Sequence, residues 1–219
     1  MLLAFYLTVH KDEGLLPRCL GQIRTYYPEA ELVVIADGPA HPLAAQWVAE
    51  AGGIFVERPR LKLPATGGHF SQHTLCTVLH HTTAPLLVKL DPDSYLARRF
   101  KPLPEVPWLA KTRTFRVFDT DLLFGLGCCW VLRRETAETL VESGLLLTLL
   151  RERGYQSVRR RGGEVLYCED PAVSYCLREL GVLPTEWSEV THTESLPVAG
   201  ALPPYAVYHG NKRRGRVPL

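Results

Sequence analysis

Asp91-Pro92-Asp93 is the stretch of this sequence whose residue types and spacing say most about chemistry. In an extended segment residues two apart point to the same side, so both carboxylates can converge on one cation, and Pro92 restricts Asp91 to extended geometry. Two hard oxygen ligands suit Mg²⁺ or Mn²⁺, and such an ion completes its shell with water and phosphate oxygens, which makes a diphosphate a fitting ligand. The ordinary alternative is a pair of solvated turn carboxylates, a common fate for Asp-Pro-Asp. Late in the chain, His209-Gly210 and Lys212 offer an imidazole as a third ligand and an ammonium to balance a diphosphate. For at least half of the basic run 212–216 a solvated tail is the simpler reading. Glu169-Asp170 stands at the start of a helix predicted over 171–180. Acidic residues favour that position through capping and the helix dipole, and one carboxylate there is also placed to act as a general base that deprotonates a hydroxyl nucleophile. The residues themselves leave both roles open.

Other candidates read as structural. His69 and His73 are four apart on a predicted helix, but no Glu follows His69 as the zinc-protease pattern requires. His80-His81 suits a helix C-terminus, Trp130 and Trp187 read as core aromatics, and the run 159–161 of three arginines as a solvated loop.

The elements that must position these residues follow from hydrophobic patterning. Nearly unbroken apolar runs over 2–9, 32–36 and 86–90 predict strands buried on both faces, with a shorter strand over 54–56. Helical spacing predicts helices over 15–27, 42–51 and 69–81; Gly52-Gly53 ends the second and Gly67-Gly68 precedes the third. Alternating strands and helices imply a parallel α/β sheet, in which ligands gather at the carboxyl ends of the strands. The polar residues sit at those ends: Thr8 and His10, Asp37, then Asp91 and Asp93. Beyond a proline-rich stretch at 101–107 the pattern gives extended segments over 108–117 and 122–132, one helix over 134–153, a strand over 165–168, and a tail from 203.

Composition bounds the rest. A chain of 219 residues, 46% hydrophobic and 22% charged, can bury the core of one globular domain. Its 25 basic and 23 acidic residues give a net charge of +2, too even to predict a nucleic-acid or membrane partner. Six cysteines without a CxxC pair read as reduced thiols. No apolar run approaches the roughly 18 residues of a membrane span, and the opening residues lack the pattern of a secretory leader. A soluble, cytoplasmic chain is the expectation.

The order of segments resembles the GT-A fold glycosyltransferases, especially the large family-2 type. LTVHKDEGLLPRCLGQIRTYYPEAELVVIADGP is similar to that family's first strand, helix and second strand, with Ala36 in place of the first acid of its Asp-Asp-Gly-Ser turn and Asp37-Gly38 retained. Gly67-Gly68 and then LLVKLDPDS resemble the stretch leading into the family's Asp-x-Asp metal motif, FGLGCCWVLRRET its acceptor-side segment, and Glu169-Asp170 its Glu-Asp pair. The resemblance implies a single α/β domain over 1–219 with a mostly parallel, Rossmann-like sheet flanked by helices and a small acceptor-side extension. Residues 1–100 would form the nucleotide-binding half, 101–200 the acceptor half and 201–219 a C-terminal tail. It implies a nucleoside-diphosphate-sugar donor of UDP or GDP type, a hydroxyl acceptor, a bound Mn²⁺ or Mg²⁺ and an inverting transfer. Thr8, His10 and Asp37 would hold base and ribose, Gly67, Asp91 and Lys212 would serve the donor, and Asp91, Asp93 and His209 would ligate the metal. Asp170 would be the base, beside Glu169. Two alternatives stand beside this. DPDSYL also resembles the first motif of haloacid dehalogenase-like phosphatases, although Tyr95 stands where that family wants Thr or Val and some ninety residues of α/β pattern precede the motif. A non-catalytic nucleotide- or carbohydrate-binding module of the same fold is the other.

Overall fold

A computed structural model describes residues 2–10, 13–60, 67–117, 120–152, 158–159, 165–166, 169–192 and 203–209. The first half is a run of strand and helix. It comprises β1 (Leu3–Val9), a 3-10 turn (Glu13–Leu15), α1 (Leu16–Tyr26), β2 (Glu31–Asp37), α2 (Ala44–Glu50), β3 (Ile54–Arg58), α3 (Gly67–His81) and β4 (Leu86–Leu90). Strand β1 pairs in parallel with both β2 and β4, and β2 with β3. Its two faces feed two cores. Leu3, Phe5, Leu7 and Val9 pack with Leu16, Leu20 and Ile23 of α1 and Val48 of α2, whereas Ala4 and Tyr6 face Leu75 and Val78 of α3. Burial on both sides is why these strands read as continuous apolar runs. Each fully buried Leu or Phe contributes about 1.5–3 kcal/mol.

The second half comprises β5 (Ser94–Leu96), β6 (Trp108–Val117), β7 (Thr120–Arg133), α4 (Arg134–Glu142), α5 (Leu145–Glu152), β8 (Val158–Arg159), β9 (Val165–Leu166), α6 (Glu169–Glu179), β10 (Thr185–Glu186), β11 (Val190–His192) and β12 (Val207–His209). Among the described residues the main sheet has seven strands in the order β10-β6-β7-β4-β1-β2-β3. Strand β7 is antiparallel to both its neighbours, and the other six share one direction. A small sheet has the order β11-β12-β5, and β8 pairs with β9. The expected mostly parallel α/β sheet is present. No described helix is long and apolar enough to cross a membrane.

Three expectations need correction. The single helix over 134–153 is two, α4 and α5, broken where Gly144 adopts a left-handed φ of 69°. Helix α6 begins at Glu169, so the acidic pair lies inside its first turn rather than before it. The strands β5, β8, β10, β11 and β12 were not foreseen, and Arg159, read as part of a loop, lies in β8; each of the five is two or three residues long and carries no period of its own.

The parallel strands deliver their carboxyl ends to one edge of the sheet. Strand β7, running the other way, brings its middle there: Leu90 pairs with Cys129, so Gly127 and Cys128 lie beside the residues that follow β4.

Candidate active site

Asp91 and Asp93 meet through a turn, not through the alternation of an extended segment. The Asp91 N–H donates to the Cys128 carbonyl at 2.9 Å, and the Ser94 N–H returns to the Asp91 carbonyl at 2.9 Å. This reverses the chain from β4 into β5. Arg18 of α1 fastens the turn, its Nη2 donating to the Ser94 carbonyl at 3.3 Å. Strand β5 then pairs antiparallel with β12, setting Ser94 opposite His209. The imidazole Nδ1 of His209 lies 3.1 Å from the Ser94 hydroxyl and 3.5 Å from Asp93 Oδ1. Ligand atoms of Asp91, Asp93 and His209 all lie within 4.8 Å of one another. Ligands about 2.1 Å from one Mg²⁺ stand roughly 3 to 4.2 Å apart, so a slight closure of the side chains fits this donor set to a small divalent cation. Two carboxylates and one imidazole are also the mixed hard set that Mn²⁺ accepts.

Beside this group lies a residue that the sequence reading missed. Lys89, in β4, is 3% exposed. Its ammonium donates to Asp91 Oδ1 at 3.0 Å, to the Gly127 carbonyl and to a Glu169 carboxylate oxygen, and it lies 5.1 Å from the centre of the Trp130 ring. Burial works against the charge, yet Asp91, Glu169 and Asp170 outweigh it and hold the ammonium protonated well above its ordinary range. Burial likewise pushes the Glu169 carboxyl up to about 7, with Lys89 pulling it down and Asp170 and Asp91 pushing it up. Asp170 is raised by burial as well, opposed by Lys89 and by the Gly127 N–H, which donates to Asp170 Oδ2 at 2.9 Å. A Cβ on Gly127 would lie 1.9 Å from Asp170 Oδ1, so only glycine lets this carboxylate rest against the strand. The pair is thus one oriented carboxylate, Asp170, and one paired carboxylate, Glu169. A lone Lys inside an otherwise apolar strand, two residues before Asp91, was the signal available in sequence.

The ends of β1, β2 and β3 form a third group. His10 Nδ1 lies 3.0 Å from the Asp37 carbonyl, which can only accept, so Nδ1 carries a ring proton, while Nε2 is buried with no hydrogen-bond partner among the described residues. Arg58 Nε donates to Asp37 Oδ1 at 3.2 Å while its guanidinium lies 4.7 Å from the centre of the Phe70 ring. Both Arg58 Nη atoms are buried and have no hydrogen-bond partner among the described residues. Burial lowers the Arg58 pKa, and Asp37 offsets part of that. Arg58 is a residue that the sequence reading did not single out. Thr8 sits in β1 opposite Ile35 and half-buried, and Gly67 is the first residue of α3. Lys212 and Gly210 lie outside the described residues, as do Arg160 and Arg161.

No protein-family model matches the sequence. No curated protein sequence matches it either. Solved structures do. The apo form of the glycosyltransferase GlyE from Streptococcus pneumoniae TIGR4 superposes with a TM-score of 0.54 at 9% identity, over 95% of this chain and 54% of that one. The mannosyltransferase PcManGT from Pyrobaculum calidifontis, solved with GDP-Man and Mn²⁺, gives a TM-score of 0.46 at 17% identity, over 63% of this chain and 46% of that one. The chain therefore spans about half the length of these structures. With its own sheet order, the match to GlyE establishes a Rossmann-like GT-A fold.

Proposed function

We propose that this chain is a glycosyltransferase that moves a sugar from a nucleoside-diphosphate-sugar donor, of UDP or GDP type, to an acceptor hydroxyl with inversion. The observation that carries the proposal is the convergence of Asp91, Asp93 and His209, the last 115 residues beyond Ser94, at the carboxyl edge of a GT-A sheet. GlyE, which shares the fold, is itself a glycosyltransferase. A cation held by these three residues supplies electrostatic stabilisation of the departing diphosphate.

In this reading Asp170 takes the proton of the acceptor hydroxyl as its oxygen attacks the anomeric carbon, and the bond from that carbon to the diphosphate oxygen breaks on the opposite face. The Gly127 N–H orients Asp170, and Lys89 pairs with Glu169 and Asp91 beside it. The group of His10, Asp37 and Arg58 at the ends of β1, β2 and β3, with Thr8 in β1, receives base and ribose; an imidazole and guanidinium donors suit the mixed edges of a nucleobase. Gly67 opens α3, whose first turn offers backbone N–H groups to the donor, and Lys212 supplies further positive charge from the tail. Residues 1–100 serve as the nucleotide half, 101–200 as the acceptor half and 201–219 as the closing tail. The phosphatase alternative receives no support from a fold that sets Asp91 after the fourth strand.

The test is thermal stabilisation by UDP and GDP with and without Mn²⁺, followed by product analysis with the matching sugar donors. At 100 times its dissociation constant, a ligand stabilises by about 2.7 kcal/mol. The expected result is a shift that requires Mn²⁺, and turnover to a product of inverted anomeric configuration. A product that retains the donor's configuration removes inversion, binding without turnover points to a passive module, and phosphate-ester hydrolysis lost in Asp91→Asn with no nucleotide binding favours the phosphatase.

A further inference from the structure

His209 reaches its place on a strand of three residues, and its partners β11 and β5 are as short. Ladders of that length are marginal in water on their own. The segment that leads into β12 is gripped instead by a buried ion pair. Glu189 is 5% exposed and accepts from both terminal nitrogens of Arg98, at 2.7 and 3.0 Å, and from the Lys101 N–H at 3.1 Å. Its own backbone carbonyl accepts the N–H groups of Ala206 at 2.9 Å and Val207 at 3.0 Å. Arg98 in turn donates from Nε to the Pro203 carbonyl and from Nη2 to the Pro204 carbonyl, each at 3.1 Å. Two consecutive prolines have no N–H to lend to a ladder, so side-chain donors to their carbonyls are the available means of fixing that approach. The Ala97 N–H completes the seat on the Ala206 carbonyl at 2.8 Å.

We infer that Arg98 and Glu189 are positioning residues for the cation site: by seating 203–207 they set β12 in register with β5, and so place His209 beside Ser94 and Asp93. The inference rests on the reading of Asp91, Asp93 and His209 as cation ligands. Neither Arg98 nor Glu189 supplies a ligand atom. They act on the third ligand through the backbone: Arg98 holds the Pro203 and Pro204 carbonyls, and the Glu189 that it grips accepts the Ala206 and Val207 N–H groups on its own carbonyl. A fixed guanidinium fork gripping a carboxylate at two points defines orientation as well as distance, which a single charge does not.

The experiment measures Mn²⁺ binding to the full chain from the free-ion electron paramagnetic resonance signal, at a temperature where circular dichroism shows each variant folded. His209→Ala weakens binding, and Arg98→Met weakens it by about tenfold, the scale found when supports of metal ligands are removed. The double variant binds no more weakly than His209→Ala alone, because both changes remove the same ligand. Glu189→Gln keeps the volume and one acceptor oxygen and shows a smaller loss; it carries the test if Arg98→Met does not fold. Wild-type binding weakened by His209→Ala but untouched by Arg98→Met, or by Glu189→Gln where that variant carries the test, overturns the inference and leaves the cation site standing. Losses that add in the double variant also overturn it, since they signal a general loosening rather than a misplaced ligand. Absence of Mn²⁺ binding by the wild-type chain overturns the cation reading itself and the inference with it.

Discussion

Two acidic groups share Asp91, and they are neutralised in different ways. Glu169 and Asp170 sit in the first turn of α6 against a lysine built into the sheet, whose ammonium already touches Glu169 and Asp91. Asp91, Asp93 and His209 gather at a turn and draw their third member from the C-terminal strand. The first group carries its countercharge within the core, assembled by β4, β7 and α6. The second has the oxygen and nitrogen donors that a divalent ion takes from solution. Asp91 belongs to both groups, paired with Lys89 on one side and gathered with Asp93 and His209 on the other, so the proposed cation would share it with an internal countercharge.

The contrast is broken most directly at Asp93. Asp93→Ala should lower metal-dependent transfer by roughly a thousandfold, about 4 kcal/mol of lost transition-state stabilisation, with the fold intact by circular dichroism. Lys89→Met should act on the other group and on stability: removing one partner of a buried pair costs about 3–5 kcal/mol, read as a fall in the denaturation midpoint. The double variant Lys89→Met/Glu169→Gln should recover part of that loss, because the stranded carboxylate goes with the lysine. If Lys89→Met is as stable as wild type, the internal countercharge is not what holds the pair.

A smaller effect is expected at Gly127. An added methyl displaces the Asp170 carboxylate, a side chain that can turn away, so Gly127→Ala should cost about a hundredfold in kcat with little change in thermal midpoint. The smallest effect is in pH dependence. Glu169 faces Lys89 from β4, Asp91 from the turn after it, Tyr6 from β1, Arg58 from β3 and its neighbour Asp170. Its folded carboxyl, raised to about 7, lies above its unfolded value of about 4.3. Between those values the folded chain holds a proton that the unfolded chain has released, so stability falls as pH rises through that window and levels off above it. Glu169→Gln should flatten that slope. It should also move the acidic limb of the rate profile to lower pH, because Asp170 loses a negative neighbour while Lys89 remains; a limb that stays in place detaches the two carboxyls.

Much of the sheet was legible in sequence, and the reason is local. Residues 86–90 and 108–117 were read with the bounds of β4 and β6, and β1, β2 and α3 within two residues, because burial on both faces writes itself as an apolar run and a helix face as a period. The Asp-Pro-Asp and Glu-Asp stretches were likewise found from residue type. What escaped was set by distance along the chain. Strands β5 and β12 exist because each pairs with the other, and nothing in Ser94–Leu96 or Val207–His209 announces a partner more than a hundred residues away. Lys89 was hidden by its own neighbours, since a strand of Leu, Leu, Val and Leu draws attention from the one charge within it. Helices α4 and α5 merged in the reading because Ser143-Gly144 interrupts an otherwise continuous amphipathic pattern, and one glycine inside such a pattern is tolerated as often as it breaks it.

The single reversed strand has a consequence for how such a protein can change. Had β7 run with its neighbours, the floor under Asp170 would be a loop; because it is reversed, that floor is Gly127, in the middle of a fourteen-residue strand, two residues past its last pair with β4 and within the register shift of its pairing with β6. The carboxylate proposed as the proton acceptor therefore takes its hydrogen bond from strand backbone, the Gly127 N–H, rather than from a loop. Under the proposed function, a change of acceptor would then fall to residues other than Gly127, whose lack of a side chain the Asp170 carboxylate requires.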